Sequence, residues 1–110
     1  MAYDVELAGR VRALLAGEPV VEKKMFGGLA FLIGGNMSVA ASGQGGLMVR
    51  VDPDETEALL AEPGAAEFEM SGRGPMKGWL RVGADVLDDD ETLGAWVSRG
   101  VAYARTLPPK

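Results

Sequence analysis

Leu29-Ala30-Phe31-Leu32-Ile33-Gly34-Gly35-Asn36-Met37 is the stretch on which the fold turns. A short, wholly apolar run followed by residues that accept positive φ reads as a central strand entering a tight hairpin. Met37 to Ala41 is then the returning strand. Upstream, Val20 to Phe26 suits a strand by propensity, and Gly27-Gly28 joins it to the apolar run as a turn or bulge. Downstream, Ser42-Gly43-Gln44-Gly45-Gly46 makes another turn, and Leu47 to Val51 the next strand. The middle of the chain is therefore a meander of three or four antiparallel strands.

Helices bracket this meander. Leu7, Val11, Leu14 and Leu15 fall at i, i+4, i+7 and i+8, the spacing of one helical face, and Glu6 and Arg10 are a favourable i,i+4 pair on the wetter side. Asp4 is placed to cap this helix, and Gly17 with Pro19 to stop it. After the meander, Asp52-Pro53-Asp54-Glu55 has the form of a capping box with proline at the first helical position. The short helix it opens contains Leu59 and Leu60 and ends at Pro63-Gly64. Glu67 to Met70 and Gly78 to Val82 read as two more strands around a Ser71–Pro75 loop. Alternation puts Trp79 and Arg81 on one face, Leu80 and Val82 on the other. Asp88 and Glu91 repeat the capping-box spacing before a last helix with Leu93, Trp96, Val97, Gly100, Ala104 and Leu107 on one seam. The small residues in that seam mark where another element approaches closely. The order is helix, three or four strands, helix, two strands, helix. Strands in adjacent runs predict an α+β, two-layer architecture, an antiparallel sheet packed by helices mainly on one face, as one domain over residues 1–110.

Composition narrows function. The 110 residues include no cysteine and no histidine. Thiol chemistry, Cys-based metal sites and every histidine-based catalytic constellation are thereby closed, and no cofactor is expected. At 47% hydrophobic and 25% charged, the balance is that of a globular domain rather than a disordered one. No apolar run approaches the length of a membrane span, so a cytoplasmic protein is expected. The net charge of -5 argues against nucleic-acid binding by bulk electrostatics. The charge is uneven: +1 over residues 1–51 and -6 over residues 52–110. Within the second half, Arg73, Lys77 and Arg81 stand alone between two acidic stretches.

Four groups of residues invite a functional reading, and each has a plainer one. Lys23-Lys24 before Phe26-Gly27-Gly28 brings cations beside a glycine turn that a ligand can approach, or is a turn with solvated lysines. Arg73, Lys77, Trp79 and Arg81 on a Gly/Pro loop suit an anion, a base or an acidic partner, or simply offset the acids on either side. Asp85, Asp88, Asp89, Asp90 and Glu91 lack a calcium-loop pattern and read chiefly as helix capping. Met25, Met37, Met48, Met70 and Met76 lie in or beside strands, as core filling or as an adaptable binding surface.

Several of these stretches carry a family resemblance. Lys24-Met25-Phe26-Gly27-Gly28-Leu29-Ala30-Phe31, Gly34-Gly35-Asn36-Met37, Met76-Lys77-Gly78-Trp79, then Trp96, Gly100, Ala104 and Leu107-Pro108-Pro109-Lys110 resemble the N-terminal domain of the TfoX/Sxy competence regulators. The match is closest to stand-alone proteins of that domain and covers nearly the whole chain. It implies a two-layer α+β fold with the same element order. It also implies a non-enzymatic module: full-length members promote expression of DNA-uptake genes together with a cyclic-AMP-dependent activator. The chain ends where a C-terminal domain begins in those regulators. The resemblance implies no catalytic residue. The expected partner is a protein, a transcription activator among the candidates, with Arg73, Lys77, Trp79 and Arg81 as contacts and Lys23 and Lys24 as extensions. Direct nucleic-acid binding through the same loop, a small-ligand or anion sensor, and a homodimer are the alternatives.

Overall fold

The Gly34-Gly35 hairpin forms as the sequence predicts. Both residues take positive φ, +60° and +84°, and join strand β2 (Gly28–Ile33) to strand β3 (Asn36–Ala41) through the pair Ile33–Asn36. The computed structural model describes residues 3–25, 27–43, 45–70 and 74–109; the side chains of residues 69, 70 and 74–77 lie outside that description. Around the hairpin are helix α1 (Val5–Leu14), strands β1 (Val20–Met25) and β4 (Leu47–Arg50), and a 3-10 turn (Pro53–Glu55) leading into helix α2 (Thr56–Leu59). Strands β5 (Ala65–Met70) and β6 (Gly74–Val82) follow, then helices α3 (Ala84–Leu87) and α4 (Asp90–Thr106).

The six strands form one antiparallel sheet in the order β1-β2-β3-β4-β6-β5. Strand β5 passes to the far edge and β6 returns inward to pair with β4, so β1 and β5 are the two edges. Strand β6 begins at Gly74, earlier than the sequence suggests, and Pro75 pairs opposite Glu69. Only residues 79–82 of β6 pair with β4, so the missing N–H of Pro75 interrupts no second ladder. Between Phe31 and Leu32 the β2–β3 register slips by one residue. The extra residue, Ser38, is fully buried and donates its hydroxyl to the Phe31 carbonyl at 2.9 Å, which satisfies a group in the disrupted ladder.

One sheet face carries the helices. Leu29, Phe31, Val39, Val49, Leu80 and Val82 meet Leu7 and Val11 of α1 and Leu93, Trp96, Val97 and Val101 of α4 in the main core. Helix α1 starts as expected, with the Asp4 carboxylate accepting from the Leu7 N–H at 3.1 Å, but Leu14 is exposed and takes no part in its apolar face. Arg10 pairs with Asp90 at 2.8 Å, not with Glu6, and ties α1 to α4. Arg12 holds Glu22 of β1 at 2.5 Å, which keeps that carboxyl below its ordinary range.

Helix α4 is capped by Asp89, one residue later than the Asp88–Glu91 spacing predicts. Asp89 accepts from the Thr92 N–H at 3.0 Å and its hydroxyl at 2.7 Å, bonds that lower its pKa. Leu107 lies beyond the helix and Val101 takes a place in the seam instead. Gly100 is where α4 comes closest to the sheet. A Cβ there would stand 2.5 Å from the Ser38 carbonyl oxygen and 2.7 Å from Val39 Cγ1.

Candidate functional site

The other sheet face carries no helix among the described residues, yet it is apolar at its centre. Ala30, Met37, Ala40 and Met48 form a second buried cluster, with Met25, Leu32, Phe68 and Trp79 half-buried against it. Strand alternation explains the selection. Residues of β2, β3, β4 and β6 next to those in the main core must point the opposite way. The methionines at 25, 37 and 48 thus fill a cluster on the second face; the side chains of Met70 and Met76 lie outside the description.

The register aligns one complete row across all six strands: Lys23, Ala30, Ala40, Met48, Arg81 and Ala66. A cation stands near each end and small or flexible apolar residues fill the middle. With neighbouring strands about 4.8 Å apart, the Lys23 and Arg81 backbones are separated by about 19 Å. The adjacent positions are Val21 opposite Leu32, Leu32 opposite Met37, and Arg50 opposite Trp79. Val21 is 63% exposed.

Arg50 occupies a distinctive place. Its guanidinium carbon lies 5.3 Å from the centroid of the Trp79 ring and 5.8 Å from that of Tyr103 on α4. Both separations are within cation–π range. Trp79 also meets Phe68, centroids 6.4 Å apart and rings tilted by 48°. One aromatic contact and one guanidinium thus fix the indole.

Charge divides sharply between the two layers. Among the described residues, the ion pairs are Arg10–Asp90, Arg12–Glu22, Arg99–Glu62 and Arg105–Glu18, all among the helices or between them and neighbouring segments. Lys23, Arg50 and Arg81 have no carboxylate at ion-pair distance among those residues; Lys23 and Arg81 stand on the second face, and Arg50 reaches from the end of β4 to Trp79 on that face and to Tyr103 of the helix layer. Lys24 pairs opposite Leu29 and so belongs to the helix-bearing side. Of the candidate contacts, the structure therefore puts Lys23, Trp79 and Arg81 on one face, Trp79 and Arg81 near one end and Lys23 at the other, and directs Lys24 away. Arg73, the side chain of Lys77 and Phe26 lie outside the described residues.

Sequence reasoning missed two residues here. Arg50 carries a readable signal, because Met48 and Arg50 alternate with the core residues Leu47 and Val49. Thr56 does not. It is buried, and its hydroxyl donates to the Asp52 carbonyl at 3.2 Å and accepts from the Gly78 N–H at 2.9 Å. The Gly78 carbonyl in turn accepts from the Val51 N–H at 2.8 Å. Gly78 itself has φ +88°, a conformation that side-chain-bearing residues rarely adopt. Thr56 thus holds the backbone bend immediately before Trp79. The expected capping bond from Asp52 goes to the Asp54 N–H, at the start of the 3-10 turn. Thr56→Val keeps the shape and removes the hydroxyl. It is expected to cost about 1–3 kcal/mol by leaving the Gly78 N–H unpaired. Urea unfolding reads that loss; Trp79 fluorescence should change before the unfolding transition if the bend relaxes.

Two members of the acidic run have structural roles: Asp89 caps α4 and Asp90 pairs with Arg10. Among the described residues, no group of three carboxylates is arranged to hold a metal ion, and no helix is long and apolar enough to cross a membrane. Comparison with known proteins gives one match: the family model of the TfoX N-terminal domain covers residues 12–104. No curated protein and no solved structure matches the chain.

Proposed function

The chain belongs to the TfoX N-terminal domain family, and from that premise we propose that it is a non-catalytic regulatory module acting in transcription control through a protein partner. The observation that carries this reading is the second sheet face, where Lys23 and Arg81 flank a methionine-rich apolar cluster and face no carboxylate among the described residues. Uncompensated cations beside half-exposed aromatic and aliphatic groups suit a protein contact. Among the described residues, Arg12, Glu22 and Asp89 owe their shifted pKa values to a surface ion pair and a helix cap, both structural roles.

Deleting the gene in its host is expected to change a defined set of transcripts, restored when the chain is supplied in trans. Cross-linking in the same cells should recover the chain joined to a transcription activator. An unchanged transcript profile would overturn the regulatory reading, and cross-links to DNA without any protein would overturn the protein-partner reading.

A further inference from the structure

Arg50 is held by rings from both layers, yet its hydrogen-bonding capacity is unused among the described residues. It is half-buried at the end of β4, with its guanidinium carbon over the rings of Trp79 in β6 and Tyr103 in α4. Such contacts fix the position of the charge without supplying a hydrogen-bond acceptor. Among those residues no acceptor takes its N–H groups, and no carboxylate stands at ion-pair distance. Nor is any unpartnered side-chain nitrogen there sealed from solvent. Asp52, two residues on, turns its carboxylate to the Asp54 N–H instead. The donors of Arg50 are thus both pre-positioned and open. A second guanidinium is close by. Arg50 pairs opposite Trp79 and Met48 opposite Arg81, so Arg50 and Arg81 are diagonal neighbours on adjacent strands. Diagonal positions stand about 7–8 Å apart, within reach of long side chains. Arg81 is also half-buried and has no acidic partner among the described residues.

We propose that Arg50 and Arg81 together bind the phosphate group of a small phosphomonoester, Arg50 as the fixed fork and Arg81 as the arm that closes onto it. Guanidinium geometry matches the oxygens of a phosphate in a bidentate way, and an arginine already stacked on aromatic rings loses little freedom in making those bonds. The charge count selects phosphate over carboxylate. A phosphomonoester carries about -1.5 to -2 at pH 7, enough to balance both arginines, whereas a carboxylate balances one. It also selects a small ligand over a nucleic acid. A polyanion extends past the two arginines onto a molecule of net charge -5. The inference goes beyond the protein-partner reading and does not need it, because binding is read on the isolated chain.

The test uses the full chain with nitrogen-labelled side chains and follows the Nε–H signals of Arg50 and Arg81 and the indole N–H of Trp79. The probes are inorganic phosphate and glycerol phosphate. Acetate and chloride at matched ionic strength and a thymidine oligonucleotide form the other arms. The expected result is a saturable shift of the three signals with both phosphates, and none with acetate beyond that seen with chloride. Arg50→Lys keeps the charge and removes the fork, and should weaken binding at least about tenfold. Arg81→Gln should weaken it several-fold, while Arg105→Gln, in the helix layer, should leave it unchanged. If Arg50→Lys fails to fold by circular dichroism, Arg81→Gln and the anion series on the wild-type chain decide. No saturable shift, an equal response to acetate, a stronger response to the oligonucleotide, or full affinity in a folded Arg50→Lys variant would overturn the proposal. Any of these leaves the protein-partner reading standing, since transcripts and cross-links in cells decide that one.

Discussion

Trp96→Ala is expected to cost about 3–5 kcal/mol, the largest loss from a single truncation in this protein. Trp96 is 2% exposed, sits mid-way along α4 and joins both α1 and the sheet in the main core. The Arg99 guanidinium carbon also lies 4.6 Å from its ring centroid and ion-pairs Glu62 at 3.6 Å. Removing the indole therefore opens a cavity and strips a cation of its aromatic partner. For a chain of this length the loss corresponds to a fall of about 13–22 °C in Tm. Since domains are stable by only about 5–15 kcal/mol, the variant stands close to unfolding at room temperature. Calorimetry and urea titration check it. A loss below about 1 kcal/mol would mean that the site collapses around the gap and that α4 is not held by this residue.

Gly100→Leu is the second large effect, and it acts by intrusion. The new Cβ would meet the Ser38 carbonyl oxygen at 2.5 Å, and that oxygen belongs to backbone in a buried bulge. A flexible side chain gives way; a strand in mid-sheet does not. Helix α4 must then move off β3, with an expected cost of about 3 kcal/mol or more. Gly94, on the same helix, provides the control. A Cβ there meets nothing within 4 Å. Gly94→Ala is expected to stabilise the protein by about 0.5–1 kcal/mol through helix propensity alone. Opposite signs from two glycines of one helix would establish that close approach, not helix propensity, sets the response at Gly100. Equal signs would contradict the packing.

The meander and its helices were legible because their signals are local. A glycine hairpin, strict alternation in Leu47-Met48-Val49 and an aspartate before each long helix need no knowledge of distant contacts. The family motif supplied the same architecture independently. What escaped the sequence is non-local. The inward return of β6 to β4 depends on β5 taking the outer edge, and nothing in either strand's residues states that choice. Thr56 acts on Gly78, 22 residues away. In the run Asp88-Asp89-Asp90 three carboxylates compete for one cap, and only backbone geometry selects Asp89. The candidate site was half visible: alternation put Trp79 and Arg81 together, and the register added Arg50 and separated Lys23 from Lys24.

The edge position of β1 bears on solubility. Among the described residues no other strand pairs with its outer backbone groups, which makes it a template for adding a strand from another molecule. Two copies joined there antiparallel, with their helices on the same side, have two central registers open to them. One sets Lys23 against its own copy; the other sets Glu22 against its own copy, although Arg12 already claims that carboxylate. Like charges meet at the centre of either seam, a destabilising arrangement in a strand pair, while the first register also sets Glu22 opposite Lys24 on both sides of that centre. The charged run Glu22-Lys23-Lys24 thus leaves the middle of this edge without an apolar register for an incoming strand to extend.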